Sequence, residues 1–166
     1  IKRAQPVGLA LSRQNLPVID RTKYSPASGA AKGAYVLAYG NDQAKDQCEL
    51  ILIATGSEVS LALLAREKLI SEGIKCRVVS APSIEWFMAE PESYRKQVLP
   101  DSIRARVSIE AGIAQSWYQL IGDSGVAVSL EHFGASASAA TLFKEFGFTV
   151  DNIIKAAKES IRKSNV

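Results

Sequence analysis

A chain of 166 residues, 47% hydrophobic and with a net charge of +3, has the size of one domain plus a short extra segment and enough apolar content to bury a core. Its Lys and Arg residues are interleaved with Asp and Glu and form no basic run, which argues against a nucleic-acid partner. The longest apolar stretch, Leu50-Ile51-Leu52-Ile53-Ala54, is too short to cross a bilayer, and no charged start followed by an apolar run marks a signal peptide. No membrane partner is expected. Cys48 and Cys76 form no CxxC pair or disulfide framework, so a reducing, cytoplasmic setting is expected.

The chain opens on Ile1 rather than an initiator methionine and runs straight into Pro6-Val7-Gly8-Leu9-Ala10-Leu11-Ser12, whose pattern predicts a strand. This beginning suggests a piece of something longer. Residues 14–32 hold two prolines and a run of small and polar residues with no apolar period, as in a connector crossing a surface. A strand is expected over 34–39, followed by a polar turn at Gly40-Asn41-Asp42.

Leu50 to Ala54 is apolar at every position, the pattern of a strand covered on both faces in a parallel sheet. It leads into Thr55-Gly56-Ser57-Glu58, where Thr55 and Glu58 have the spacing of a capping box. The helix that follows buries Val59, Ala62, Leu63 and Leu69 and stops at Gly73. Further on, a strand is expected over 76–80 and a short helix between Pro91 and Val98. Ile103, Ala105, Val107 and Ile109 alternate with Arg104, Arg106 and Ser108, as in a half-buried strand. A helix over 113–121, a strand over 126–130 and a helix over 138–146 complete that stretch. Thr149 then caps a last helix with Val150, Ile153, Ile154, Ala157 and Ile161 on one face. Alternating strands and helices imply a three-layer α/β/α domain, with five strands after residue 33.

The common chemical signatures are missing. The sequence has neither GxGxxG nor GxxxxGK[ST], no GxSxG, and a single histidine, His132, without a Cys/His cluster. His132, beside Phe133 and Gly134, suits a turn better than a catalytic base. Thr55-Gly56-Ser57 either caps the helix or cradles an anion, and capping is the simpler account. Glu110, at the carboxyl end of a strand, is either functional or structural. Arg13 ends the first apolar stretch, in Leu11-Ser12-Arg13-Gln14-Asn15-Leu16-Pro17. It is either a solvated arginine or a planar fork placed to grip a phosphate.

Several segments, taken in order, resemble one family. Leu11 to Pro17, Lys32-Gly33-Ala34-Tyr35-Val36-Leu37, Ala54-Thr55-Gly56-Ser57-Glu58-Val59 and Arg106-Val107-Ser108-Ile109-Glu110-Ala111-Gly112 are similar to transketolases. So are His132-Phe133-Gly134-Ala135-Ser136-Ala137 and Phe143 to Val150. The resemblance implies that residues 1–20 end a pyrimidine-binding domain with its terminal strand, 21–33 form a linker, and 34–166 form the C-terminal domain. The implied sheet has five strands, mixed but mostly parallel, with the first antiparallel to the rest.

The resemblance also implies a parent enzyme that uses thiamine diphosphate and a divalent metal such as Mg to move a two-carbon ketol unit between sugar phosphates, and that works as a homodimer. Residues that bind the cofactor and metal lie upstream in that family, so no catalytic, cofactor or metal residue is expected here, and the chain alone is expected to be inactive. Arg13 matches the one family position, among those present, that holds the substrate phosphate. Ser138-Ala139 stands where many relatives have a proline, which is expected to alter a helix start. The same architecture occurs in deoxyxylulose phosphate synthase and in thiamine-dependent 2-oxoacid dehydrogenase subunits. An autonomous assembly module without chemistry is a further alternative.

Overall fold

In a computed structural model of the chain, residues 6–40 and 47–165 are described. The sheet is built from β1 (Tyr35–Ala38), β2 (Leu50–Ala54), β3 (Cys76–Ser80), β4 (Arg106–Ile109) and β5 (Val126–Val128), in the spatial order β1-β3-β2-β4-β5. β2 pairs in parallel with β3 (Leu52 opposite Val78) and with β4 (Leu52 opposite Val107), and β4 pairs in parallel with β5. β1 lies antiparallel on β3, with Val36 opposite Val79. The mixed, mostly parallel five-stranded sheet matches the expectation, including the direction of the first strand.

Alternation along β2 divides the core. Leu50, Leu52 and Ala54 face one side and Ile51 and Ile53 the other, and all five are fully buried. The first side is covered by α1 (Glu58–Ser71) through Val59, Ala62 and Leu69 and by α6 (Val150–Ser164) through Ile153, Ile154 and Ala157. The second is covered by α2 (Ile84–Met88) through Phe87, α3 (Glu92–Val98) through Val98, and α4 (Tyr118–Ile121) through Leu120 and Ile121. Fully burying a Leu or Ile side chain is worth about 1.5–3 kcal/mol, so β2 is the strand the domain can least afford to disturb.

Helix ends follow the expected chemistry in part. Thr149 caps α6, its hydroxyl accepting from Asn152 N at 3.2 Å. Ser138 caps α5 (Ala139–Glu145) in the same way, accepting from Thr141 N, so the helix start stands without a proline. Gly73, at φ +86°, closes α1 with two bonds, Gly73 N to Ile70 O and Ile74 N to Leu69 O.

The structure corrects four expectations. The capping box at Thr55 and Glu58 is not formed: Ser57 occupies the cap position, Thr55 contributes only its carbonyl to Glu58 N at 3.2 Å, and the Glu58 side chain turns inward. In the 103–109 stretch, only Arg106–Ile109 is strand, and it is covered on both faces, so Ser108 is buried and Arg106 half-buried. The expected 113–121 helix is a 3-10 turn (Ala114–Trp117) that leads into α4. Residues 6–12 form no strand, because a strand exists only through a partner's hydrogen bonds and no described strand lies alongside. Leu9 and Leu11 are accordingly 75% and 84% exposed. The connector turns at Asp20, whose carbonyl accepts from Tyr24 N at 3.0 Å, is held to α1 by Lys23 on Glu67 at 2.9 Å, bonds Leu37 O at the β1 edge through Ser25 N–H, and continues into a 3-10 helix at Ala27–Lys32. The turn expected at 40–42 falls mostly outside the described residues.

Candidate functional site

The carboxyl ends of the parallel strands bring together groups that lie far apart in the sequence. The turn after β2 delivers Glu58, and the end of β4 delivers Glu110. Glu110 N bonds Val128 O at 3.1 Å and Leu130 N bonds Gly112 O at 2.9 Å, so the β4 and β5 ends are tied together. Glu58 is 4% exposed and accepts from Ser57 Oγ at 3.0 Å. Glu110 Oε2 is buried without a hydrogen-bond partner. Burial, and then the nearby charge of Glu58, push the Glu110 carboxyl from 4.5 up to about 7, and burial also raises Glu58. Glu110 is therefore poised near the midpoint of its titration at neutral pH. Glu131, by contrast, sits in the open and accepts from Ala114 N at 2.9 Å.

The two acids decide the question left open at Thr55-Gly56-Ser57. An anion approaching that turn would meet the buried carboxylate of Glu58 with Glu110 beside it, so the segment is a turn and cap and not a phosphate cradle. The same observation bears on thiamine diphosphate and its metal. Two inward acids give a diphosphate no cationic partner, and no group of three His, Cys, Asp or Glu side chains able to hold a metal occurs among the described residues. The residues present do not fit that cofactor.

His132 is exposed, with Nδ1 2.8 Å from Phe133 O and its ring edge-on to Phe146 at 4.9 Å, as a turn residue would be. Arg13 lies in an exposed bend at residues 13–14 and shares no hydrogen bond or ion pair with a described residue. Arg13 and the Glu58–Glu110 pair thus form no common constellation in this chain.

A buried acid held neutral by folding makes stability depend on pH, and the sign is fixed. The unfolded chain releases this proton near 4.5, whereas the native state holds it to about 7. Stability is therefore full below about pH 4.5 and falls as the pH rises to 7 and beyond. After allowance for the solvent that still reaches the carboxyl, the loss is about 1 kcal/mol. Glu110→Gln keeps the shape without the charge. It is expected to raise the Tm at pH 8 by about 2–4 °C and to narrow the difference between pH 5 and pH 8. Equal pH dependence in both proteins, measured by thermal unfolding, would remove Glu110 as its source.

A family model described as the Transketolase-like TK C-terminal domain matches residues 33–149. The chain belongs to the transketolase family. The transketolase of Mycobacterium tuberculosis strain H37Rv is 50% identical over 157 residues, 94% of this chain and 22% of its own length. Transketolase 1 of Escherichia coli K12 is 51% identical over 154 residues, 93% of this chain and 22% of its own length. A crystal structure of the Pichia stipitis transketolase in complex with sedoheptulose 7-phosphate superposes with a TM-score of 0.77 at 36% identity, over 90% of this chain and 20% of that one. This transketolase-family chain thus spans about a fifth of the length of these relatives. Among its described residues, no helix is long and apolar enough to cross a membrane.

Proposed function

We propose that this chain is the carboxyl-terminal portion of an enzyme that transfers a two-carbon ketol unit between sugar phosphates with thiamine diphosphate and a divalent metal, and that Arg13 holds the substrate phosphate. The identity of about half to curated transketolases over nearly the whole chain carries this reading. In it, residues 1–20 close the pyrimidine-binding domain, 21–33 link, and 34–166 form a C-terminal domain that is structural or dimer-forming. The cofactor supplies the carbanion chemistry when bound. What this chain contributes to the sugar is a planar cation with five fixed donors, matched to a phosphate's oxygens. The exposure of Leu9 and Leu11, both just before the bend at residues 13–14, is consistent with a segment that pairs elsewhere in the longer enzyme.

The test is steady-state kinetics of Arg13→Ala in the full-length enzyme with a phosphorylated acceptor and its unphosphorylated analogue. A charge-assisted hydrogen bond is worth about 1.5–3 kcal/mol, roughly ten- to 150-fold. The phosphate is remote from the bond being made, so most of the loss belongs in KM. Lysine rescues in part, because it keeps the charge and loses the fork. The preference for the phosphorylated acceptor should disappear. An equal fall for both acceptors would assign Arg13 to the fold or an interface instead.

The 166-residue chain alone is expected to give no heat when titrated with thiamine diphosphate and magnesium, since its sequence carries no phosphate-binding motif and its described residues no metal cage. Micromolar binding would place part of the cofactor site within this chain.

A further inference from the structure

We propose that the cavity at the β1 edge of the sheet binds a small organic anion, a carboxylate or phosphate ester on a flat apolar body, with its charged end on Arg77. The cavity has a volume of about 420 Å³, within the range of small-molecule sites. Its position follows from the fold. Arg77 on β3 alternates with Cys76 and Val78 and so projects to the opposite side of the sheet, where α3 packs. β1 is the edge strand, and the Ala27–Lys32 turn closes over it, leaving a space between turn, edge and helix.

Arg77 is 4% exposed. Its Nη1 donates to Gln97 O at 3.1 Å and to Val98 O at 3.0 Å, while Nε has no hydrogen-bond partner and Nη2 donates to no described residue. Those two nitrogens make up the side edge of the guanidinium, the edge that a carboxylate or phosphate takes with two parallel bonds. The cavity lining contains no Asp or Glu, and Arg77 forms no ion pair with a described residue. A buried cation without a counter-charge is costly, by several kcal/mol in general, and two carbonyl dipoles and the Tyr39 ring, its centroid 5.9 Å from Cζ, offset only part of that. An anion supplies what is missing.

The walls define the rest of the ligand. Tyr35 and Tyr94 present rings, and Val36 and Val98 present apolar surface, so the body that fits is flat and unsaturated. The cavity edge carries further donors. Ser25 and Ser28 line it, and Arg21 donates to Ser25 O at 2.7 Å and lies 3.4 Å from Tyr35 Oη, adding a second positive charge. None of these residues belongs to the phosphate grip proposed for Arg13, so the two ideas stand or fall separately.

The experiment is titration of the chain, followed by amide NMR, with benzoate, phenyl phosphate, inorganic phosphate and neutral benzamide. Saturable shifts at Val36 and Gln97 with benzoate or phenyl phosphate are expected, and the tighter of the two identifies the charged group as carboxylate or phosphate. Benzamide should bind at least about tenfold more weakly, the value of one charge-assisted bond. Arg77→Gln should lose binding by a similar factor. Because that change also removes bonds to α3, Ser28→Trp serves as the second variant. Ser28 is exposed on the turn that closes the cavity, so the substitution blocks the space while leaving the Tm unchanged. Failure of both aryl anions to saturate at about 10 mM, equal binding of benzamide, or full affinity in Ser28→Trp would overturn the proposal.

Discussion

Gly33→Ala is expected to destabilise the domain by about 3–5 kcal/mol, through two separate costs. Gly33 sits at φ +79°, a conformation that costs an L-residue about 1–2 kcal/mol. The larger cost is spatial. A Cβ there would fall within the van der Waals envelopes of Phe87 N and Ser83 O, and 2.8 Å from the carbonyl carbon of Trp86. These are backbone atoms of α2 and its cap, which cannot swing aside as a side-chain tip can. Ser83 N also bonds Gly33 O at 3.0 Å, so moving the turn away breaks the tie between connector and helix. Gly73 provides the control. It has φ +86° with nothing within 4 Å of an added Cβ, so Gly73→Ala should show the conformational cost alone, about 1–2 kcal/mol. For a chain of this size the two variants should fall by roughly 6–15 °C and 2–6 °C in Tm. Equal losses would mean that the approach of Gly33 to α2 has no energetic weight.

What the sequence made legible is what local pattern determines. β2 is readable because a strand covered on both faces is apolar throughout, and α6 because Thr149 and the Ile153, Ile154, Ala157 face carry both its start and its buried side. Gly73 marks a helix end by chemistry that acts within a few residues. The errors lie where distant partners decide. Pro6 to Ser12 has strand-like composition, yet a strand needs a neighbour. Arg106 reads as an outward residue by alternation, but the second layer of helices covers it. α2 was missed, although Ser83 with apolar Ile84, Phe87 and Met88 was a usable signal, and Ser83 Oγ does accept from Trp86 N at 3.3 Å. The sites divide in the same way. Arg13 was visible through its neighbours' resemblance to a family, and Glu110 through its place at a strand end. That Glu58 would stand beside Glu110 depends on how β2 and β4 pair, and the burial of Arg77 depends on α3 packing across the sheet; neither is written in any one segment.

Arg106→Ala is expected to cost about 3 kcal/mol, and lysine to recover less than half of it. The guanidinium donates to four carbonyls: Nε to Ile103 O at 2.9 Å, Nη1 to Leu120 O at 2.7 Å, and Nη2 to Pro100 O at 2.8 Å and Leu99 O at 3.4 Å. It therefore satisfies the loose carbonyls at the end of α3, in the 99–103 turn and in α4, tying three pieces to the start of β4. Each charged bond is worth about 1.5–3 kcal/mol alone, but they share one side chain and do not add, since water reaches some of the carbonyls once the arginine is gone. Burial makes the charge less favourable and lowers the Arg106 pKa, which sets part of the gain against a desolvation cost. A Lys ammonium keeps that cost and reaches fewer carbonyls, so a drop of about 6–12 °C in Tm for alanine should shrink only modestly for lysine. β4 also carries Glu110 at its other end. If the start of β4 loosens, water should reach that carboxyl more easily, and the pH dependence of stability should weaken along with the Tm. Wild-type stability in Arg106→Lys would show that a positive charge is sufficient there and that the fork holds nothing together.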